Sequence, residues 1–112
     1  MTAYEGLKVL DCSQGRAGPM AAMLMADFGA EVLKLEPPGG DFMQAAPGYQ
    51  MWNRNKRRMT LDVAGDGREQ LESLLAGADL AIFDFSPRRM QALGLADAHE
   101  RHPRLVNLWM PG

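Results

Sequence analysis

This chain of 112 residues has one cysteine, few aromatics (7%) and no surplus of positive charge. Each scarcity excludes something. Cys12 alone closes no internal disulfide, which fits a reducing cytoplasm, the compartment we expect. A formal net charge of −2 argues against a general nucleic-acid binder, which carries a basic surplus. No apolar run approaches the roughly 18 residues that a membrane-spanning helix needs, so no membrane partner is expected. The opening Met1-Thr-Ala-Tyr-Glu lacks the basic and apolar regions of a signal peptide. The length leaves room for one domain with one modest core. Hydrophobic residues at 46% and charged ones at 23% are ordinary for a globular chain. Nine methionines read as adaptable core filling.

What is present is an alternation of strand and helix signals. Val9 and Leu10 form a short apolar run before Gly15 and Gly18, which relax the backbone. Pro19 suits the first position of a helix, where its missing N–H goes unneeded. Met20, Met23, Leu24 and Phe28 then fall on one helical stripe, and Gly29 supplies a stop. Val32, Leu33 and Leu35 make the next strand. Two strands joined by one helix over so few residues predict a parallel pair with a right-handed crossover.

From Pro37-Pro-Gly-Gly40 an irregular excursion runs to about residue 57, and a loop of that length is usually functional or an interface. Met59 to Val63 alternates as a short strand. Asp66 is the expected N-cap of a helix that buries Leu71, Leu74 and Leu75 and stops at Gly77. A buried strand, a short helix from Pro87 to about Gly94, another from Ala96 to Arg101 and a last strand complete the pattern. Strands are thus expected near 8–12, 31–35, 80–85 and 105–109, and helices near 18–28 and 66–77. Such alternation predicts an α/β fold, a parallel sheet with helices on both faces.

Candidate chemistry is sparse. The turn Ser13-Gln-Gly-Arg-Ala-Gly-Pro19 sets a helix N-terminus where anions bind. Only half of a dinucleotide fingerprint is there, with Ser13 in place of its first glycine and Glu36 at the ribose position. A plain structural turn, a nicotinamide site and another phosphate-bearing ligand all stay open. Arg54, Lys56, Arg57 and Arg58 form the one dense basic cluster, which alone reads equally as a solvated loop. His99 and His102 lie three apart with no further ligand to complete a metal site, so a surface pair is the plainer reading. Cys12 has no nearby histidine to activate it and reads as structural. Asp11, Asp41, Asp62, Asp79 and Asp84 scatter over strand ends, and none pairs with a base at a recognisable spacing.

Five pieces, taken together, resemble a known family. They are Lys8 to Glu36, Pro38-Gly-Gly-Asp41, Asn53-Arg-Asn-Lys-Arg-Arg-Met-Thr-Leu-Asp62, Ala78-Asp79 leading into Phe83-Asp-Phe-Ser-Pro87, and Pro103-Arg-Leu-Val106. In order and spacing this set resembles the class III CoA-transferases of the carnitine-dehydratase/bile-acid-inducible type, from about residue 5 to the end. The resemblance implies a Rossmann-like partial domain, with 1–112 as the N-terminal part of the large CoA-transferase domain. It implies transfer of CoA between carboxylic acids through an aspartate that forms mixed-anhydride and thioester intermediates. In the family that aspartate lies beyond the equivalent of Gly112, so no catalytic residue is expected here and the chain is expected to be truncated and inactive alone. Expected partners are coenzyme A or acyl-CoA as substrate, the missing C-terminal segment, and a second copy in an interlocked homodimer. No separate cofactor or metal is implied.

The matching CoA contacts are Gly15, Arg16 and Ala17 in the first turn. Lys56 and Arg57 offer charge for phosphates, and the Phe85-Ser86 turn offers an apolar face for adenine. Four family positions depart: Pro37, Ala64, Asp84 and Ala92 replace polar or basic residues, and Asp84 sets a negative charge where a phosphate is expected. Binding should therefore be weak and salt-sensitive. Arg88 and Arg89 are the candidates to compensate. Two other readings stand beside this one: a fragment of an acyl-CoA racemase of the same fold, and a scaffold half-domain that has lost CoA binding.

Overall fold

The computed structural model describes residues 4–14, 17–41 and 45–110. Its elements are β1 (Lys8–Asp11), α1 (Ala17–Asp27), β2 (Glu31–Glu36), α2 (Tyr49–Trp52), β3 (Arg57–Thr60), α3 (Arg68–Gly77), β4 (Leu80–Phe83), α4 (Pro87–Ala92), α5 (Ala98–Arg101) and β5 (Val106–Trp109). The strands form one sheet in the order β3-β2-β1-β4-β5, with every pairing parallel. The Rossmann-like α/β expectation therefore holds, and apart from β3 the anticipated strands and helices stand within about two residues of their places. The order reverses between β1 and β4. In such sheets a crevice opens at that point, outside the carboxyl ends of the strands.

The strands' alternation divides the core into two layers. Leu10, Cys12, Leu35, Ala81 and Phe83 face α3 and α4, meeting Leu71, Leu75, Met90 and Leu95. Val9, Val32, Leu80 and Ile82 face the other way, onto Ala22 of α1. The central β4 is buried along its whole length, as a parallel strand covered on both sides should be.

Four expectations are corrected by the packing. First, α1 does not bury its large stripe. Gly18, Pro19, Ala22 and Met23 are its buried residues, whereas Met20, Leu24 and Phe28 are 42%, 53% and 52% exposed. Small residues one turn apart let the helix lie close on the sheet, and that approach turns the bulkier side chains outward. Gly18 is needed for this closeness: a Cβ there would stand 2.1 Å from Ser13 Oγ.

Second, β3 begins at Arg57 and ends at Thr60, where the alternation had suggested 59–63. Parallel pairing with β2 fixes this register, Leu33 opposite Arg57 and Glu36 opposite Thr60. As an edge strand it carries charged residues that would be excluded from the centre. Third, Asp66 does not cap α3. Gly67 takes the N-cap position with no side-chain cap, because a Cβ there would strike Leu61 Cγ at 2.6 Å and the Asp62 carbonyl at 2.8 Å. Fourth, the excursion after Pro37 is not wholly irregular: α2 forms within it and buries Tyr49 to 1% exposure.

Candidate functional site

The crevice at the β1/β4 switch point is built over a buried polar network that no local pattern announces. Asp11, the last residue of β1, is fully buried. Its Oδ1 accepts from the Ser13 backbone N–H at 3.0 Å and from the Ser13 hydroxyl, and its Oδ2 accepts from Lys56 Nζ at 2.8 Å. The same ammonium donates to the Pro19 carbonyl and to Asn53 Oδ1, each at 2.9 Å. Lys34 of β2 sits alongside, donating to the Ser13 carbonyl at 3.0 Å and pairing with Asp41 at 2.9 Å. All four charged side chains, Asp11, Lys34, Asp41 and Lys56, have no exposed area. Together they brace both sides of the turn into α1: Ser13 before it and Pro19 after it.

The electrostatics follow from burial. Desolvation is the foremost influence on Lys56 and pushes its pKa below the usual lysine range, against the pull of Asp11. Burial, then the charges of Asp11 and Asp84, push the Cys12 thiol well up, so it is no nucleophile. Asp84 lies just past β4 and accepts from the Gln14 backbone N–H at 2.8 Å, stitching the two strand ends across the switch point. Desolvation raises its pKa, the neighbouring Asp11 adds to this, and the Gln14 bond opposes it.

The basic cluster is dispersed by the fold. Arg54 forks onto Asp27 at 2.6 and 3.2 Å. Lys56 spends its donors inside the network, so the phosphate contact expected of it is not offered from this position. Arg57 is exposed at the start of β3, the end of that strand remote from the crevice. There it borders a hollow of about 660 Å³ between β3 and α3, away from the switch point. Arg58 lies over the Tyr49 ring at 5.4 Å and reaches its hydroxyl at 3.3 Å. The Tyr49 hydroxyl donates to Glu36, and burial, then Glu36, push its pKa up to about 12.

Of the turn residues, Ala17 is the first of α1, while Gly15 and Arg16 fall outside the described residues. Phe85 is partly buried against Phe83, ring centroids 6.0 Å apart, and its carbonyl accepts from the Trp109 indole at 2.7 Å. Ser86 is the N-cap of α4, its hydroxyl accepting from the Arg89 backbone N–H at 3.2 Å. Beside Phe85 lies a narrow cleft of about 40 Å³, bordered also by Gln14, Glu36, Pro37, Asp62 and Arg89 among others. Thus Phe85 borders the cleft, Ala17 begins α1, Ser86 caps α4, Lys56 is buried in the network and Arg57 stands apart.

Elsewhere, His102 meets Glu72 at 3.2 Å, and the side chain of His99 lies outside the described residues. Among the described residues no group of His, Cys, Asp and Glu could hold a metal ion. Nor is any helix among them long and apolar enough to cross a membrane.

Fold and crevice together define a Rossmann-like, parallel α/β domain with its sheet order reversing at the crevice. Residues 4–112 match the model of CoA-transferase family III, and the chain belongs to that family. Succinyl-CoA:mesaconate CoA-transferase of Haloarcula hispanica is 38% identical over 95% of this chain, which covers 31% of that protein. Formyl-CoA:oxalate CoA-transferase of Escherichia coli is 34% identical over 94% of the chain and 28% of its own length. Among solved structures, Rv3272 of Mycobacterium tuberculosis superposes with a TM-score of 0.91 at 32% identity, covering 97% of this chain and 33% of that one. A CAIB/BAIF family protein of Brucella suis gives 0.90 at 30%, covering 96% and 33%. The chain therefore spans about a third of the length of these relatives.

Proposed function

We propose that residues 1–112 are the N-terminal, CoA-binding part of an enzyme that moves CoA between carboxylic acids. The observation that carries this reading is the turn into α1, braced from beneath by Asp11, Lys34 and Lys56 at the switch point of the sheet. A helix N-terminus suits a pyrophosphate. Phe85 suits the apolar faces of adenine. The network anchors Ser13 and Pro19, on either side of the turn, before any ligand arrives, which lowers the ordering cost of binding. In this reading the nucleophilic aspartate comes from chain beyond residue 112. The working unit is cytoplasmic and contains a second copy.

One set of observations favours the scaffold reading instead. Lys56 is consumed inside, Arg57 faces away and the cleft is narrow. Titration with CoA while following Trp109 fluorescence separates the two, since the indole is bonded to the Phe85 carbonyl. The CoA reading expects a saturable change that weakens with added salt. No response at millimolar CoA establishes the scaffold. Turnover of any acyl-CoA donor by the pure 112-residue protein would contradict the assignment of the nucleophile to another segment.

A further inference from the structure

The residues bordering the crevice include two carboxylates, Glu36 and Asp62, with Asp84 bonded just behind Gln14. An anion entering there meets repulsion unless a cation answers it. Arg89 is the cation on that border among the described residues. Among the described residues, Lys34 and Lys56 are committed to the buried network and Arg58 to Tyr49. Arg89 is exposed, and no described carboxylate pairs with it. Its guanidinium lies 5.0 Å over the Phe85 ring, and its backbone is fixed by the Ser86 cap.

We propose that Arg89, stacked on Phe85, recognises the phosphate carried on the ribose of an adenine nucleotide, the 3′-phosphate of CoA in the reading above, on which this inference rests. Position supports a ribose phosphate over the pyrophosphate. The acidic residue ending the second strand marks the ribose in folds of this type, and an arginine beside it accommodates a phosphate on that sugar. Glu36 and Arg89 border the same cleft, whereas the pyrophosphate belongs at the start of α1. A planar guanidinium grips a phosphate with two parallel N–H donors and keeps an aromatic face for stacking, so one residue holds both the phosphate and the Phe85 ring.

The test is calorimetry of CoA and 3′-dephospho-CoA against the wild-type chain, Arg89→Gln and Arg89→Lys, with circular dichroism to confirm folding. The wild type should prefer CoA by about tenfold or more, as expected for a charge-assisted pair. Arg89→Gln should erase that preference by weakening CoA alone, and Arg89→Lys should retain part of it. Equal loss for both ligands in Arg89→Gln, an unchanged preference, or no preference in the wild type would overturn the role of Arg89 while leaving the CoA reading standing. Failure of the wild type to bind either ligand would remove both.

Discussion

Two ionic clusters in this domain answer to opposite forces. Beneath the α1 turn, Asp11, Lys34, Asp41 and Lys56 are wholly removed from solvent. On the surface, Glu72 of α3 gathers Arg68, Arg101 and His102 while keeping 31% of its side chain exposed. Burial dominates the first cluster, lowering the pKa of Lys56 despite Asp11 beside it. Partners dominate the second: the Arg101 bond foremost, with Arg68 and His102, draws the Glu72 carboxyl down to about 2. The interior cluster is therefore all or nothing, since one missing member strands a charge in a dry site. The exterior cluster can lose a member to water. Only the interior one joins β1, β2, β3's entry and α1, and only it touches the candidate site.

Breaking the interior cluster should have the largest effect. Lys56→Met leaves Asp11 buried without its cation and should cost about 3–5 kcal/mol, a large share of a small domain's stability. Urea unfolding measures it, and adding Asp11→Asn should recover part of the loss. A cost under about 1 kcal/mol would mean that water reaches the network, which would end the contrast with Glu72.

A middling effect is expected where the network meets α1. Gly18→Ala puts a methyl on Ser13, whose hydroxyl is held by Asp11 and has nowhere to move. Overpacking of that kind costs about 1–3 kcal/mol. Thermal unfolding of the variant beside wild type reads it directly.

Glu72→Gln should cost only about 0–1 kcal/mol at neutral pH, because solvent screens the cluster. The pH dependence sharpens the point. The folded carboxyl titrates near 2 and its ordinary value is 4.5, so on acidification the unfolded chain takes up the proton first. Glu72's contribution is present above pH 4.5 and fades as the pH falls through about 2. The stability difference between wild type and Glu72→Gln should close over that window. A gap that persists at pH 2 would show that packing, not charge, is responsible.

The smallest effect belongs to the outward stripe of α1. Leu24→Gln should change stability by no more than about 0.5 kcal/mol, since the side chain is 53% exposed. A multi-kilocalorie loss in a denaturant titration would restore the face read from its periodicity.

The order of strands and helices was legible in the sequence because it rests on local signals: apolar runs, Gly and Pro punctuation, and spacings within a few residues. The family was legible in five short pieces for the same reason. What local signals do not carry is how far apart in the chain two partners lie, or how closely a helix settles. Asp11 and Lys56 are separated by 45 residues and meet only once β1, β3 and α1 are assembled. Their charges therefore read as unrelated strand-end and loop residues. Met20, Leu24 and Phe28 satisfied the helical period, but close docking through Gly18 and Ala22 decided which side of α1 met the sheet. Local composition marked the basic block, and tertiary pairing dispersed it. Periodicity and punctuation in the sequence determined the parallel α/β framework. Which charges became interior and which lay at the crevice was decided by the tertiary structure, since desolvation acts on a group only where the fold has placed it.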